Sequence, residues 1–254
     1  LELINSLKKL QNRGRDSYGI LLLNNSDNFL FKSQELINLD KVKEYKLQHS
    51  FYNIALGHSR YATSYLSEGV KNNIYDSHPL KGEHPLLGEF FLAHNGNINF
   101  SNEIKDKYSN LNDSNILVKI IEDLRENTWS NIFEYIIRII PGVYNVIVTT
   151  SNCIYCFKDR YNVRPLCYGE NKRGYCVASE SVALGDYKYV SEIEGGELVE
   201  ISYEGVKRKR ILENTNKICI FEYIYFLNPN SIMNTQTIFN IRYNLGLELA
   251  EKEN

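Results

Sequence analysis

What this chain lacks narrows the field first. Its formal charge is only −2 over 254 residues, so there is no electrostatic reason to expect nucleic acid as a partner. No apolar stretch approaches the length of a membrane span and no signal peptide precedes the fold, so no membrane partner is expected. Five cysteines, an odd number with no framework spacing, argue against a disulfide scaffold and suit a reducing compartment, which makes a cytoplasmic location the expectation. Repeats, low-complexity tracts and a clear internal linker are missing too. Methionine occurs once, at Met233, and the sequence opens Leu1-Glu2-Leu3; the expectation is that the true N-terminus was processed away or lies upstream.

What remains is an ordinary globular composition rich in Tyr and Phe, long enough to bury a substantial core. Leu3, Leu7 and Leu10 share one helical stripe that ends before Gly14. Ile20 to Leu23 and Phe29 to Phe31 read as strands around the turn Asn24 to Asn28. Ile54 to Leu56 and Phe90 to Ala93 read as buried strands separated by a long loop holding Pro79 and Pro85. Helices are expected over Ile116 to Leu124, capped by Asp113-Ser114, and over Ile132 to Ile140, stopped by Pro141-Gly142. Short strands follow at Val143 to Thr149, Ile154 to Phe157, Tyr175 to Ala178 and Glu197 to Ile201, with a hairpin at Ser151-Asn152. The basic run Lys207 to Arg210 alternates on a strand and reads as a solvated face. A last helix is expected from about Gln236 to Ala250. Strand clusters with helices before and after them point to an α+β layered fold.

Three polar segments lie beside apolar strands. In Gly57-His58-Ser59-Arg60-Tyr61-Ala62-Thr63, Arg60 can offer its planar fork to a carboxylate, or can be an internal ion-pair partner. In Ala93-His94-Asn95-Gly96-Asn97, an amide side chain next to a glycine N–H supplies two donors for a developing oxyanion, although Asn-Gly is also the commonest tight-turn dipeptide. In Asn112-Asp113-Ser114 the carboxylate of Asp113 can hold an ammonium group or cap a helix. Together they describe a site for a free amino acid with a reactive side chain.

With Arg13-Gly14-Arg15-Asp16-Ser17 and Asp113-Ser114, these segments resemble the class II glutamine amidotransferase domains. That resemblance implies a four-layer αββα sandwich of the N-terminal-nucleophile hydrolase type. Lys158 to Leu166, Ala178-Ser179-Glu180-Ser181 and Cys219 to Phe226 are similar to the amidophosphoribosyltransferase branch of that family. The resemblance implies a nucleophilic N-terminal Cys whose own α-amine is the base, a pairing suited to generating the attacking thiolate. It implies that Arg13 and Gly14 help hold that terminus, that Asn95 and the Gly96 N–H form the oxyanion hole, that Arg60 clamps the α-carboxylate of L-glutamine and that Asp113 accepts its α-amine. Tyr61, Thr63 and His78 would line the same pocket, His78 standing where the branch more often has Gln. The ammonia released would reach phosphoribosyl pyrophosphate and give 5-phosphoribosylamine, the opening step of purine synthesis.

Two departures follow from the same comparison. Residues 1–235 would be the glutaminase domain without its first strand, where the family carries the nucleophile, and residues 236–254 a helix leading into a phosphoribosyltransferase domain that these residues do not include. None of the five cysteines has the free α-amine the mechanism needs, so the chain alone is not expected to hydrolyse glutamine; a glutamine-binding module or an amidotransferase with another acceptor are the competing readings. Cys153 and Cys156, three apart on a strand, face opposite sides and read as core. No cofactor is expected within the chain and Mg2+ is expected for the transferase domain. Cys219 matches a position that is a ligand in iron–sulfur members and a plain cysteine in others, leaving a cluster undecided. By analogy a homo-oligomer is expected.

Overall fold

The structure is a computed structural model and describes residues 2–44, 52–61, 74–217, 219–233 and 235–253. Chain order begins α1 (Glu2–Lys9), β1 (Ser17–Leu23), β2 (Asn28–Ser33), α2 (Leu39–Glu44), β3 (Ile54–Arg60), β4 (Leu80–His84) and β5 (Gly88–Ile98). Three helices follow, α3 (Asn102–Lys107), α4 (Asp113–Asp123) and α5 (Trp129–Ile139). Then come β6 (Gly142–Thr149), β7 (Ile154–Lys158), β8 (Cys167–Asn171), β9 (Gly174–Ala178) and β10 (Lys188–Glu192). The end is built from β11 (Glu197–Ser202), β12 (Gly205–Arg210), a single π-helical turn Glu222–Phe226, the two-residue strands β13 (Ile232–Met233) and β14 (Gln236–Thr237), and α6 (Ile238–Glu253).

A six-stranded sheet, ordered β12-β11-β7-β6-β5-β4 and antiparallel throughout, is the centre of the molecule. Its central strands β5, β6 and β7 are apolar on both faces, which demands cover on both sides. Phe90 and Leu92 of β5 pack with Val146, Val148 and Phe157 against Leu117 and Ile121 of α4 and Phe133 and Ile136 of α5. Phe91 and Ala93 point the other way, onto Leu21 and Leu23 of β1 and Leu56 of β3. Further along the same face, Cys156, Val199 and Ile201 meet Leu166, Tyr168 and Ile193. Two three-stranded sheets, β2-β1-β3 and β10-β8-β9, therefore cover one face of the large sheet.

Helix α1 supplies the fourth layer. Ile4 and Leu7 pack on Tyr18 and Ile20 of β1, together with Val42 of α2, while Leu10 reaches the cluster around Cys167, Ala178 and Leu184. Gly57 of β3 lets the helix approach, since a Cβ there would lie 2.6 Å from a Leu7 methyl. The layer order is thus helix, sheet, sheet, helix, the expected αββα sandwich.

Several local readings change. The segment between β3 and β5 is not all loop: β4 pairs with β5 from Leu80↔Leu92 to His84↔Gly88. Helix α4 is capped one residue earlier than Asp113-Ser114, by Asn112, whose side chain accepts from Asn115 N–H at 2.9 Å; Asp113 is its first helical residue. The short helix α3 and strands β8 and β10 add to the elements read from pattern. Cys153 and Cys156 do sit on opposite faces, in separate core clusters, and the exposed Lys207 to Arg210 run lies on β12.

Candidate functional site

A cleft of about 720 Å³ opens where β3, β5, the start of α4 and the π-helical turn meet. Of the residues singled out from sequence, Arg13, Arg60, Tyr61, His78, Asn95, Gly96 and Asp113 line it. Gly14 lies buried behind it, and Thr63 falls outside the described residues.

Asn95 and Gly96 are not in a turn. They stand inside β5, paired with Asn145 and Tyr144 of β6. Gly96 has φ +151°, and a Cβ on it would press into Val143 O and lie 2.6 Å from Tyr144 Cα. Only glycine permits that backbone, which breaks the regular strand geometry beside the Asn95 amide. Both residues are thereby set into a strand that borders the cleft.

Asp113 is fastened to the same strand. Its Oδ2 accepts from Ile98 N–H at 3.2 Å, and its Oδ1 accepts from Ser114 N–H at 2.9 Å. A carboxylate at the first turn of α4 also meets the positive end of the helix dipole. About a quarter of the side chain (27%) stays exposed, leaving lone pairs for an ammonium group. Next to it, Asn115 Nδ2 donates to Asp76 Oδ1 at 2.9 Å, tying α4 to the segment before β4.

Arg60 ends β3, with its backbone O accepting from Asp16 N–H at 3.0 Å. A Cβ on Gly14 would lie 2.6 Å from the Arg60 and Ser59 backbone, so Gly14 allows the loop after α1 to lie against the end of β3. Tyr61 follows at 65% exposure on the rim.

Arg13 departs from a simple reading. Its guanidinium donates to Glu180 Oε1 (3.1 Å) and to both Glu222 oxygens (3.1 and 3.2 Å). Arg164 donates to Glu222 Oε1 at 2.8 Å, and Glu180 Oε2 accepts from Asn228 N–H and Ser231 Oγ–H. Both carboxylates are buried. The Arg13 side chain is therefore committed to a four-member ion cluster, and its main chain is what remains for the cleft. The cluster anchors the π-helical turn, whose Tyr225 and Phe226 form one wall; Asn12 Nδ2 donates to Phe226 O at 2.6 Å and assists.

Three histidines line the inner wall. His58 Nε2 lies 3.1 Å from His94 O and 3.4 Å from His78 Nδ1, and the His58 and His78 rings meet edge to face at 4.5 Å. Burial lowers all three pKa values: His58 to about 4, His78 well below the usual imidazole range and His94 below it as well. Neighbouring cationic groups lower them further, and only Asp113 opposes this at His94. The wall is thus neutral at pH 7, and the 4.0 Å approach of His94 Nδ1 to Asp113 Oδ2 is not an ion pair.

None of the five cysteines lines the cleft. Cys153, Cys156 and Cys167 are buried, and burial raises each thiol pKa, keeping it protonated. Among the described residues no cluster of His, Cys, Asp and Glu is arranged to hold a metal, and no helix is long and apolar enough to cross a membrane. Sequence reasoning quoted His58, His94, Glu180, Glu222 and Arg164 inside motifs without giving them roles. Their partners lie up to 209 residues away, a relation no local spacing reveals.

Comparison with known proteins follows the motifs. Residues 73–186 match the family model of the glutamine amidotransferase domain. The amidophosphoribosyltransferases of Synechocystis and Escherichia coli are each 29% identical over 97% of this chain, and that of Bacillus subtilis is 30% identical over 97%. The chain spans about half the length of these curated relatives, 52–53%. Among solved structures, the allosteric regulatory enzyme of purine biosynthesis superposes with a TM-score of 0.88 at 29% identity, covering 99% of this chain and 55% of that one. Glutamine phosphoribosylpyrophosphate amidotransferase from B. subtilis follows at 0.85, with 29% identity and coverage of 98% and 55%. The N-terminal-nucleophile hydrolase fold and the resemblance to amidophosphoribosyltransferases expected from the motifs are the ones found.

Proposed function

We propose, taking this chain as the glutamine amidotransferase half of an amidophosphoribosyltransferase, that its cleft binds L-glutamine and presents the side-chain amide for cleavage. The observation that carries this reading is the convergence of Arg60, Asp113, Asn95 and Gly96 on one cleft. Arg60 takes the α-carboxylate, Asp113 the α-ammonium, and the Asn95 amide with the Gly96 N–H takes the oxyanion as the carbonyl carbon becomes tetrahedral. Gly14 and the Arg13 main chain border the place of the attacking group, while Tyr61, Thr63 and His78 complete the surroundings of the substrate.

Because no cysteine of this sequence reaches the cleft, the thiol comes from outside residues 1–254, as a cysteine whose own α-amine takes its proton. In that division of labour residues 1–235 hold glutamine, and 236–254 lead into the part that carries phosphoribosyl pyrophosphate and Mg2+. The ammonia then attacks that second substrate and yields 5-phosphoribosylamine, opening purine synthesis. A cytoplasmic homo-oligomer fits this role.

Calorimetry on the chain tests the first half of the reading: L-glutamine binds, D-glutamine does not, and no ammonia appears. Absence of L-glutamine binding removes the proposal. Ammonia release by these residues alone overturns the account of the missing thiol. A second reading, a glutamine-binding module without catalysis, is favoured by the same lack of a cysteine at the cleft. Formation of phosphoribosylamine by the intact gene product separates the two.

A further inference from the structure

Of the three histidines that line the cleft, His94 alone joins the two groups assigned to opposite ends of the substrate. It immediately precedes Asn95 on β5, and its ring turns toward the start of α4, where Nδ1 lies 2.9 Å from Ser114 Oγ. Ser114 Oγ in turn donates to Asp113 Oδ1 at 3.4 Å. A hydroxyl has one proton to give, so if Ser114 donates to Asp113, Nδ1 must be the donor to Ser114. In that arrangement the proton sits on Nδ1, and Nε2 carries the lone pair.

The far side of the ring agrees. His94 Nε2 is buried without a partner, and so is Arg164 Nε, an unused donor whose charge bears on this ring. The positive charge of Arg164 disfavours a second proton on this ring, so Nε2 stays unprotonated when Nδ1 carries the proton. His94 is 5% exposed and Ser114 equally so, so solvent does not compete for these bonds.

We infer that His94, held as the Nδ1–H tautomer, is a positioning residue that aims the Asp113 carboxylate at the substrate α-ammonium through Ser114. This inference rests on the glutamine reading given above. The relay supplements the backbone bonds from Ile98 N–H to Asp113 Oδ2 and from Ser114 N–H to Asp113 Oδ1, adding a side-chain bond that sets the rotation of the carboxylate about them.

The test uses the chain as it stands and two ligands, L-glutamine and 4-carbamoylbutanoate, which is glutamine without its α-amine. Ser114→Ala and His94→Phe are each expected to weaken L-glutamine roughly tenfold, the usual loss for one hydrogen bond to a charged group, while leaving 4-carbamoylbutanoate within about twofold. His94→Asn, whose amide nitrogen falls near the Nδ1 position, should recover most of the L-glutamine affinity; His94→Gln should not. Nitrogen NMR of the parent should find the His94 proton on Nδ1. Equal weakening of both ligands, no weakening by Ser114→Ala, or a proton on Nε2 overturns the inference and leaves the glutamine reading standing. Failure of the parent chain to bind L-glutamine removes both.

Discussion

The Arg13 guanidinium meets the Glu222 carboxylate through two hydrogen bonds, of 3.1 and 3.2 Å, across 209 residues of sequence. Glu222 is 1% exposed and also accepts from Arg164. Removing one member of such a buried cluster leaves the others desolvated and uncompensated, which costs more than the pair itself contributes. Glu222→Ala should lower stability by roughly 3 kcal/mol, read as a drop in the urea midpoint at unchanged slope. A loss under about 1 kcal/mol would mean that water reaches the cluster.

Acid should weaken the fold through the histidine wall. The folded-state pKa values of His58, His78 and His94 lie below the ordinary 6.5. Between about pH 6.5 and 4 the unfolded chain therefore binds more protons than the folded one, so stability falls as pH falls. It is fully present above 6.5. Each such histidine adds up to about 1.4 kcal/mol per pH unit inside that window. Urea titrations at pH 7.5, 5.5 and 4.5 should show the trend, and His78→Gln should flatten it. A variant as steep as the parent would exclude His78 as a contributor.

Gly96→Ala tests the strand geometry directly. At φ +151°, with Val143 O in the way of a Cβ, the change should cost roughly 2 kcal/mol or more and abolish L-glutamine binding. By contrast Gly174→Ala, also at positive φ but with open space around it, should leave binding intact while costing some stability. Equal binding losses at the two positions would argue that general destabilisation is being read.

Charge placement in the cleft has its own signature. Arg60→Ala and Asp113→Asn should each weaken L-glutamine by about 10- to 100-fold, the range for charge-assisted hydrogen bonds, with the melting temperature nearly unchanged for Arg60→Ala and modestly lowered for Asp113→Asn, whose NH2 would face the Ile98 or Ser114 N–H. Calorimetry beside thermal melts checks this. A large fall in melting temperature would return Arg60 to the role of an internal ion-pair partner.

Much of this architecture was legible because periodicity survives in the sequence. Phe90 to Ala93 and Val143 to Thr149 read as strands since both faces are apolar, and α5 stops at Pro141-Gly142 as read. β4 escaped for a physical reason. It alternates perfectly between buried and exposed, but its inward residues are Leu80, Gly82 and His84, only one of which looks like core. Gly82 is inward because the Phe90 ring fills its side-chain space, a Cβ there coming within 2.3 Å of the ring. Asn95-Gly96 carried the opposite ambiguity, a turn dipeptide that tertiary pairing holds within a strand. The Glu180 and Glu222 partners of Arg13 were beyond reach, since only the fold brings them together.

The length of β5 has one more implication. Its apolar residues are sorted between two cores, Phe90 and Leu92 to the helices, Phe91 and Ala93 to the inner layer. Sliding that strand by a single residue would reverse all four at once and, with them, exchange the directions of His94 and Asn95. The hydrophobic core thus acts as a ruler for the chemistry at its end. Ordinary packing residues fix the aim of the proposed oxyanion donors, and drift at Phe90 or Phe91 would be felt as lost alignment before it was felt as unfolding.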